Sequence, residues 1–106
     1  MFDAMSDKQA TDLVILDLRP VSLITDFFVI GTAESAPQMR AVARVVEERA
    51  REDAGAKPVV TDGEPDSGWI LIDFGDVIAH VFDPGRRSFY QLESLWDEAP
   101  LVARMA

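Results

Sequence analysis

Carboxylates and the chain's one imidazole gather in a single stretch, with Asp73, Asp76, His80 and Asp83 inside eleven residues. Such groups are the usual ligands of zinc or manganese and the usual partners in acid–base catalysis. On a helix this spacing would align all four. The surrounding sequence, however, is WILIDFGDVIAHVF from Trp69 to Phe82, which reads as two strands around Asp73-Phe74-Gly75-Asp76. Glycine supplies the unusual backbone angle that such a hairpin needs. On strands, Asp76 and His80 share a face, Asp83 points the other way and Asp73 lies across the turn. The aspartates are therefore expected as turn residues, and His80 as a half-buried strand residue bonded to a neighbouring carboxylate. No metal site is expected.

The second place where chemistry could sit is Gly31-Thr32-Ala33-Glu34-Ser35, which leads from a strand into a helix N-terminus. Backbone N–H groups often hold an anion there. This loop has one glycine, no lysine and a glutamate whose charge opposes a phosphate, so it fits neither a dinucleotide nor a P-loop fingerprint. Ser35 followed by Gln38 is instead a capping box, which occupies the hydroxyl and leaves no base to make Ser35 a nucleophile. Without cysteine, thiolate metal sites, disulfides and cysteine nucleophiles are excluded, and a reducing compartment fits best. Neither an enzyme nor a cofactor is expected. Trp69, Tyr90 and Trp96 are amphipathic aromatics, which serve as core fillers or as interface anchors. Trp96 matches the spacing of Phe89 and Leu92 and reads as core; for Trp69, which follows an acidic loop, both readings stand.

The elements that position these residues follow from the apolar pattern. Asp12 to Leu18 reads as a strand buried on both faces, and Phe27 to Ile30, ending at Gly31, as a second. Met39, Val42, Ala43, Val46 and Ala50 fall on one face of a helix that starts at the Ser35 cap and stops at Gly55 and Pro58. Val59 to Thr61 makes a short strand, Asp62 to Gly68 a loop, and Asp83-Pro84-Gly85 a turn. Ser88 and Gln91 repeat the capping-box spacing before a short amphipathic helix through Phe89, Leu92, Leu95 and Trp96. The order β-β-α-β-β-β-α implies an α/β fold with a mixed sheet of about five strands and flanking helices. One domain over residues 12–100 is expected, with an arm or helix end over 1–11 and a tail over 101–106.

The net charge of −9 argues against direct, sequence-independent nucleic-acid binding and for a basic partner. The acid is concentrated: residues 57–83 carry six acids and one lysine, a net of −5. No apolar run is long enough for a membrane span and the N-terminus has no signal-peptide pattern, so a cytoplasmic location is expected.

Taken together, four motifs resemble the ribosomal silencing factor (RsfS/Iojap) family in order and spacing. They are Asp26-Phe27-Phe28-Val29-Ile30, Ser35-x-x-Gln38, the Trp69–Phe82 block, and Arg87-x-Phe89-Tyr90-x-Leu92-Glu93-x-Leu95-Trp96. The resemblance implies a three-layer fold similar to nucleotidyltransferases but used for binding. It further implies docking on ribosomal protein fourteen of the large subunit, blocked joining of the small subunit and lowered translation when nutrients are scarce. Organellar relatives are linked to large-subunit assembly, so a biogenesis role on the same surface is the alternative; a nucleotide-processing enzyme is the other. The −5 segment suits a basic ribosomal protein. The contact surface implied by the resemblance and the charge is Trp69, Asp73, Asp76, His80, Phe82 and Tyr90, with the two aromatics Trp69 and Tyr90 as anchors. Relatives usually carry a helix before the first strand, where about eleven residues precede it here. Apolar surface left uncovered there would favour a homodimer in the free protein.

Overall fold

The computed structural model describes Met5 and residues 10–21, 25–55, 57–58, 60–91 and 100–105; of residues 54, 65, 90, 103 and 105 it describes the backbone alone. Six strands, β1 (Thr11–Asp17), β2 (Phe27–Thr32), β3 (Val60–Asp62), β4 (Trp69–Asp73), β5 (Val77–Phe82) and β6 (Leu101–Met105), form one sheet. Their order is β3-β4-β5-β2-β1-β6. β2 and β5 run parallel while the other pairs are antiparallel, so the sheet is mixed. Among the described residues two α-helices of more than one turn accompany it, α1 (Ala36–Ala54) and α2 (Pro84–Tyr90). Neither is long and apolar enough to cross a membrane.

The continuous apolar runs lie at the centre of the sheet, as covering on both faces demands. In β1, Leu13 joins the layer under α1, whereas Val14 and Leu16 join a second layer on the opposite face. β2 divides likewise, with Val29 under α1 and Phe28 and Ile30 opposite. Met39, Val42, Val45 and Val46 of α1 are buried against Ile70, Ile72, Ala79 and Val81. Each buried valine, isoleucine or methionine among them stabilises the fold by about 1.5–3 kcal/mol relative to exposure. Gly31 does not end β2 but lets it continue, because a Cβ there would stand 2.8 Å from Leu13 Cδ2 and 2.9 Å from Met5 Sδ. Met5 is thereby part of the core.

The capping box forms with a small shift. Ser35 Oγ accepts from the Gln38 N–H at 3.2 Å, and Gln38 Oε1 accepts from the backbone N–H of Glu34 rather than of Ser35. At the other end Gly55 closes α1, its N–H bonding back to Ala50 and Arg51 carbonyls. The hairpin between β4 and β5 is also as expected: Gly75 sits at φ 95°, and Asp73 Oδ1 accepts its N–H at 2.7 Å.

The expectations after residue 82 need correction. The expected tail contains β6, which pairs with the outer edge of β1, giving six strands instead of about five. A five-residue segment with one β-branched residue carries little strand signal of its own; the pairing partner supplies the structure. The Asp83-Pro84-Gly85 turn is the start of α2. Asp83 caps it, its Oδ1 accepting from the Arg86 N–H at 2.7 Å, and Pro84 occupies the first turn. Ser88 therefore lies inside the helix and Gln91 at its C-cap, so they form no capping box. Phe89, expected on the buried face, is 77% exposed. Leu92, Leu95 and Trp96 lie outside the described residues. Asp83→Ala should destabilise the protein by about 1 kcal/mol, the usual cost of losing an N-cap, measured as a lower urea midpoint.

Candidate functional site

Strand pairing fixes what stands beside the chemistry-bearing residues. β4 and β5 place Trp69 opposite Phe82, Leu71 opposite His80 and Asp73 opposite Ile78. Alternation then puts Trp69, Leu71 and Asp73 on the same face as His80 and Phe82, the face away from α1. β3 adds Val60 and Asp62 to this face beside Asp73 and Leu71. Val60 and Asp62 are exposed, and Trp69, Leu71 and Asp73 are half-buried.

Trp69 stands over a packed aromatic base. Its ring stacks on Phe82 with centroids 4.9 Å apart, and its Nε1–H donates to His80 Nδ1 at 3.1 Å. His80 in turn meets the Phe28 ring edge-on at 4.6 Å. A groove of about 200 Å³ runs along the outer side, lined by Asp62, Gly63, Ser67, Trp69 and Leu71. Trp69 is thus an aromatic held from beneath, with an open groove at its side and Asp62 along that groove.

Of the six residues expected at a contact surface, Trp69 and Asp73 reach this face half-buried. Asp76 is exposed in the adjoining turn, where its carbonyl accepts from the Asp26 and Phe27 N–H groups. His80 is 3% exposed and Phe82 fully covered, so neither projects as expected; they lie beneath Trp69 because the face has aromatic cover. The Tyr90 side chain lies outside the described residues. Leu71 and Asp62 join the surface unanticipated. The period-two pattern of Trp69, Leu71 and Asp73, with β3 paired alongside, was the signal for both.

The Asp73, Asp76, His80, Asp83 cluster does not assemble. Asp73 holds the hairpin turn and Asp83 caps α2 at the opposite end of β5. His80 bonds an indole, not the carboxylate expected, because register brings Trp69 diagonally across from it while the aspartates stay at the strand ends. Burial in this apolar setting drives its pKa from 6.5 down to about 4, so the imidazole is neutral at pH 7.

A larger crevice, of about 520 Å³, opens outside the carboxyl ends of the parallel strands β2 and β5, among Asp12, Thr32, Glu34, Arg87 and Ser88. Ligands often bind at such a place in α/β sheets. Here the guanidinium, 7% exposed, is engaged: Arg87 Nη1 donates to Thr32 Oγ1 at 2.9 Å, and Nη2 stands 3.7 Å from Asp12 Oδ2. Arg87 thus ties α2 to β1 and β2. Glu34, the loop acid expected to oppose a phosphate, lines this crevice together with Asp12 of β1.

A family model described as "Ribosomal silencing factor during starvation" matches residues 1–105. The chain is 41% identical over 99 residues to "Ribosomal silencing factor RsfS" of Bacillus subtilis (strain 168), covering 93% of this chain and 83% of the relative. A crystal structure of a protein from Bacillus halodurans matches with TM-score 0.80 and 38% identity, covering 95% of this chain and 90% of that one. Another, from Chromobacterium violaceum, matches with TM-score 0.83 and 30% identity over 90% of this chain and 78% of that one.

Proposed function

The chain belongs to the ribosomal silencing factor family, and from that premise we propose that it docks on ribosomal protein fourteen of the large subunit and blocks joining of the small subunit. Translation is thereby repressed when nutrients are limiting. The protein works as a binding module in the cytoplasm, without catalysis or cofactor. The observation that carries this reading is Trp69, half-buried on its aromatic base, with Asp62 beside it along the groove and Asp73 further along the same face. An aromatic anchor on a face that also carries carboxylates suits a basic protein partner, since the indole supplies affinity and the charges supply encounter rate and register. Charge also favours protein over RNA as the contact, because a net −5 in residues 57–83 repels phosphate.

Asp76 is the most accessible of the acids in the expected contact set. Asp76→Lys should slow association roughly ten-fold at low salt, with the difference shrinking at high salt as screening sets in. The backbone bonds of that turn use the Asp76 carbonyl and survive the substitution. Association rates on immobilised large subunits at two ionic strengths test this. A salt-independent loss, or none, would move the acidic contact elsewhere. Co-sedimentation with large subunits tests the reading as a whole.

A further inference from the structure

His80 presents a problem of polar satisfaction whose solution bears on function. An indole Nε1 can only donate, so the 3.1 Å contact from Trp69 requires that His80 Nδ1 be the bare acceptor nitrogen. The ring hydrogen must then sit on Nε2. That atom is buried and has no hydrogen-bond partner among the described residues. Buried polar groups are nearly always partnered, and an orphan costs stability that leucine or phenylalanine at this position would not. The surroundings ask for an apolar residue too: Phe28 lies edge-on to the imidazole at 4.6 Å and Phe82 is stacked 6.0 Å away. What the imidazole provides and a hydrocarbon cannot is the acceptor for Trp69.

We propose that His80 is the positioning residue of the docking surface, accepting the Trp69 indole N–H and so fixing the ring's orientation toward the basic partner. This rests on the reading of Trp69 as the docking anchor. Phe82 stacking, at 29° between planes, restrains the plane of the ring but not which edge carries Nε1 inward, since a half-turn about Cβ–Cγ preserves the stack. The hydrogen bond to His80 fixes that edge. A ring already held in its bound orientation loses less rotamer freedom on docking, which is how a buried residue that never touches the partner raises affinity. His80 therefore acts through Trp69, and its orphaned Nε2 is retained at the expense of stability.

The test compares variants that differ in one atom's chemistry. His80→Asn places an acceptor oxygen near the Nδ1 position, whereas His80→Phe and His80→Leu fill the space without any acceptor. In the full-length protein labelled with nitrogen-15, the Trp69 indole N–H, assigned with Trp69→Phe, should exchange slowly in the parent and in His80→Asn. It should exchange fast in His80→Phe and His80→Leu. Affinity for purified large subunits should fall about ten-fold in the two apolar variants and much less in His80→Asn. The urea midpoints of the apolar variants should stay level or rise. A loss of affinity without a loss of stability is what a merely structural histidine would not give. Apolar variants that bind like the parent, or an asparagine variant that loses as much as they do, would overturn the proposal. If the parent itself fails to bind large subunits, the docking reading falls, while the indole exchange still decides whether His80 holds the ring.

Discussion

Replacing Trp69 by alanine is expected to weaken binding to the large subunit by about 2 kcal/mol or more, roughly thirty-fold or more in affinity. The size follows from where the ring sits. It is half-buried, stacked on Phe82 at 4.9 Å and bonded to His80 at 3.1 Å. An anchor so supported meets a partner with most of its conformational freedom already gone, so truncation removes both contact area and preorganisation. The change should lie mainly in the dissociation rate, in contrast with the association-rate effect expected at Asp76. Truncation also uncovers Phe82, so affinity must be read at a temperature where circular dichroism shows the variant folded. An unchanged dissociation rate in a folded Trp69→Ala protein would place the docking surface elsewhere.

The second large effect concerns acid. His80 titrates at about 4 in the folded chain and near 6.5 when unfolded, because burial penalises the imidazolium. Between those values the unfolded state binds the proton and the native state does not. The neutral-His80 contribution is therefore complete above pH 6.5 and is lost as pH falls toward 4. Two and a half pH units correspond to about 3 kcal/mol of lost stability. Protonation of Nδ1 would also turn it toward the Trp69 N–H as a second donor, ending the bond. Urea unfolding from pH 7.5 to pH 4 should show this fall in the parent, and His80→Leu should remove most of it, isolating the histidine from the carboxylates. Parallel curves for parent and variant would contradict the assignment.

The readable parts of the fold were those where local pattern and tertiary environment agree. The apolar run of β1 belongs to a strand flanked by β2 and β6, and Met39, Val42 and Val46 keep helical spacing because α1 lies flat on the sheet. Ser35 and Gln38 declare a helix start through chemistry confined to one turn. Asp83-Pro84-Gly85 misled because the same residues suit a β-turn and a helix N-cap; only the continuation of the chain separates them. β6 had no local signal that outweighed its neighbours, since its strand character comes from pairing with β1.

The site was legible in kind more than in depth. Composition marks the acidic segment and the motifs mark Trp69, Asp73 and Asp76 as candidates, of which strand pairing brings Trp69 and Asp73 to one face. The resemblance and the charge point to His80 and Phe82 as surface residues, but both are buried, because strand alternation gives a face and not its cover. The bond from Trp69 to His80 joins residues eleven apart, yet the hairpin register implies it. Once Asp73 pairs with Ile78, Leu71 must face His80 and Trp69 must face Phe82, which sets the indole diagonal to the imidazole.

The most direct test incubates the purified chain with isolated large subunits at low and moderate salt, then adds small subunits and follows both by sedimentation. The account predicts that the chain migrates with the large subunit, that joining of the small subunit is lost, and that Trp69→Ala or Asp76→Lys restores it. A chain that stays at the top of the gradient at both salts, or one that binds while subunits join normally, would contradict it.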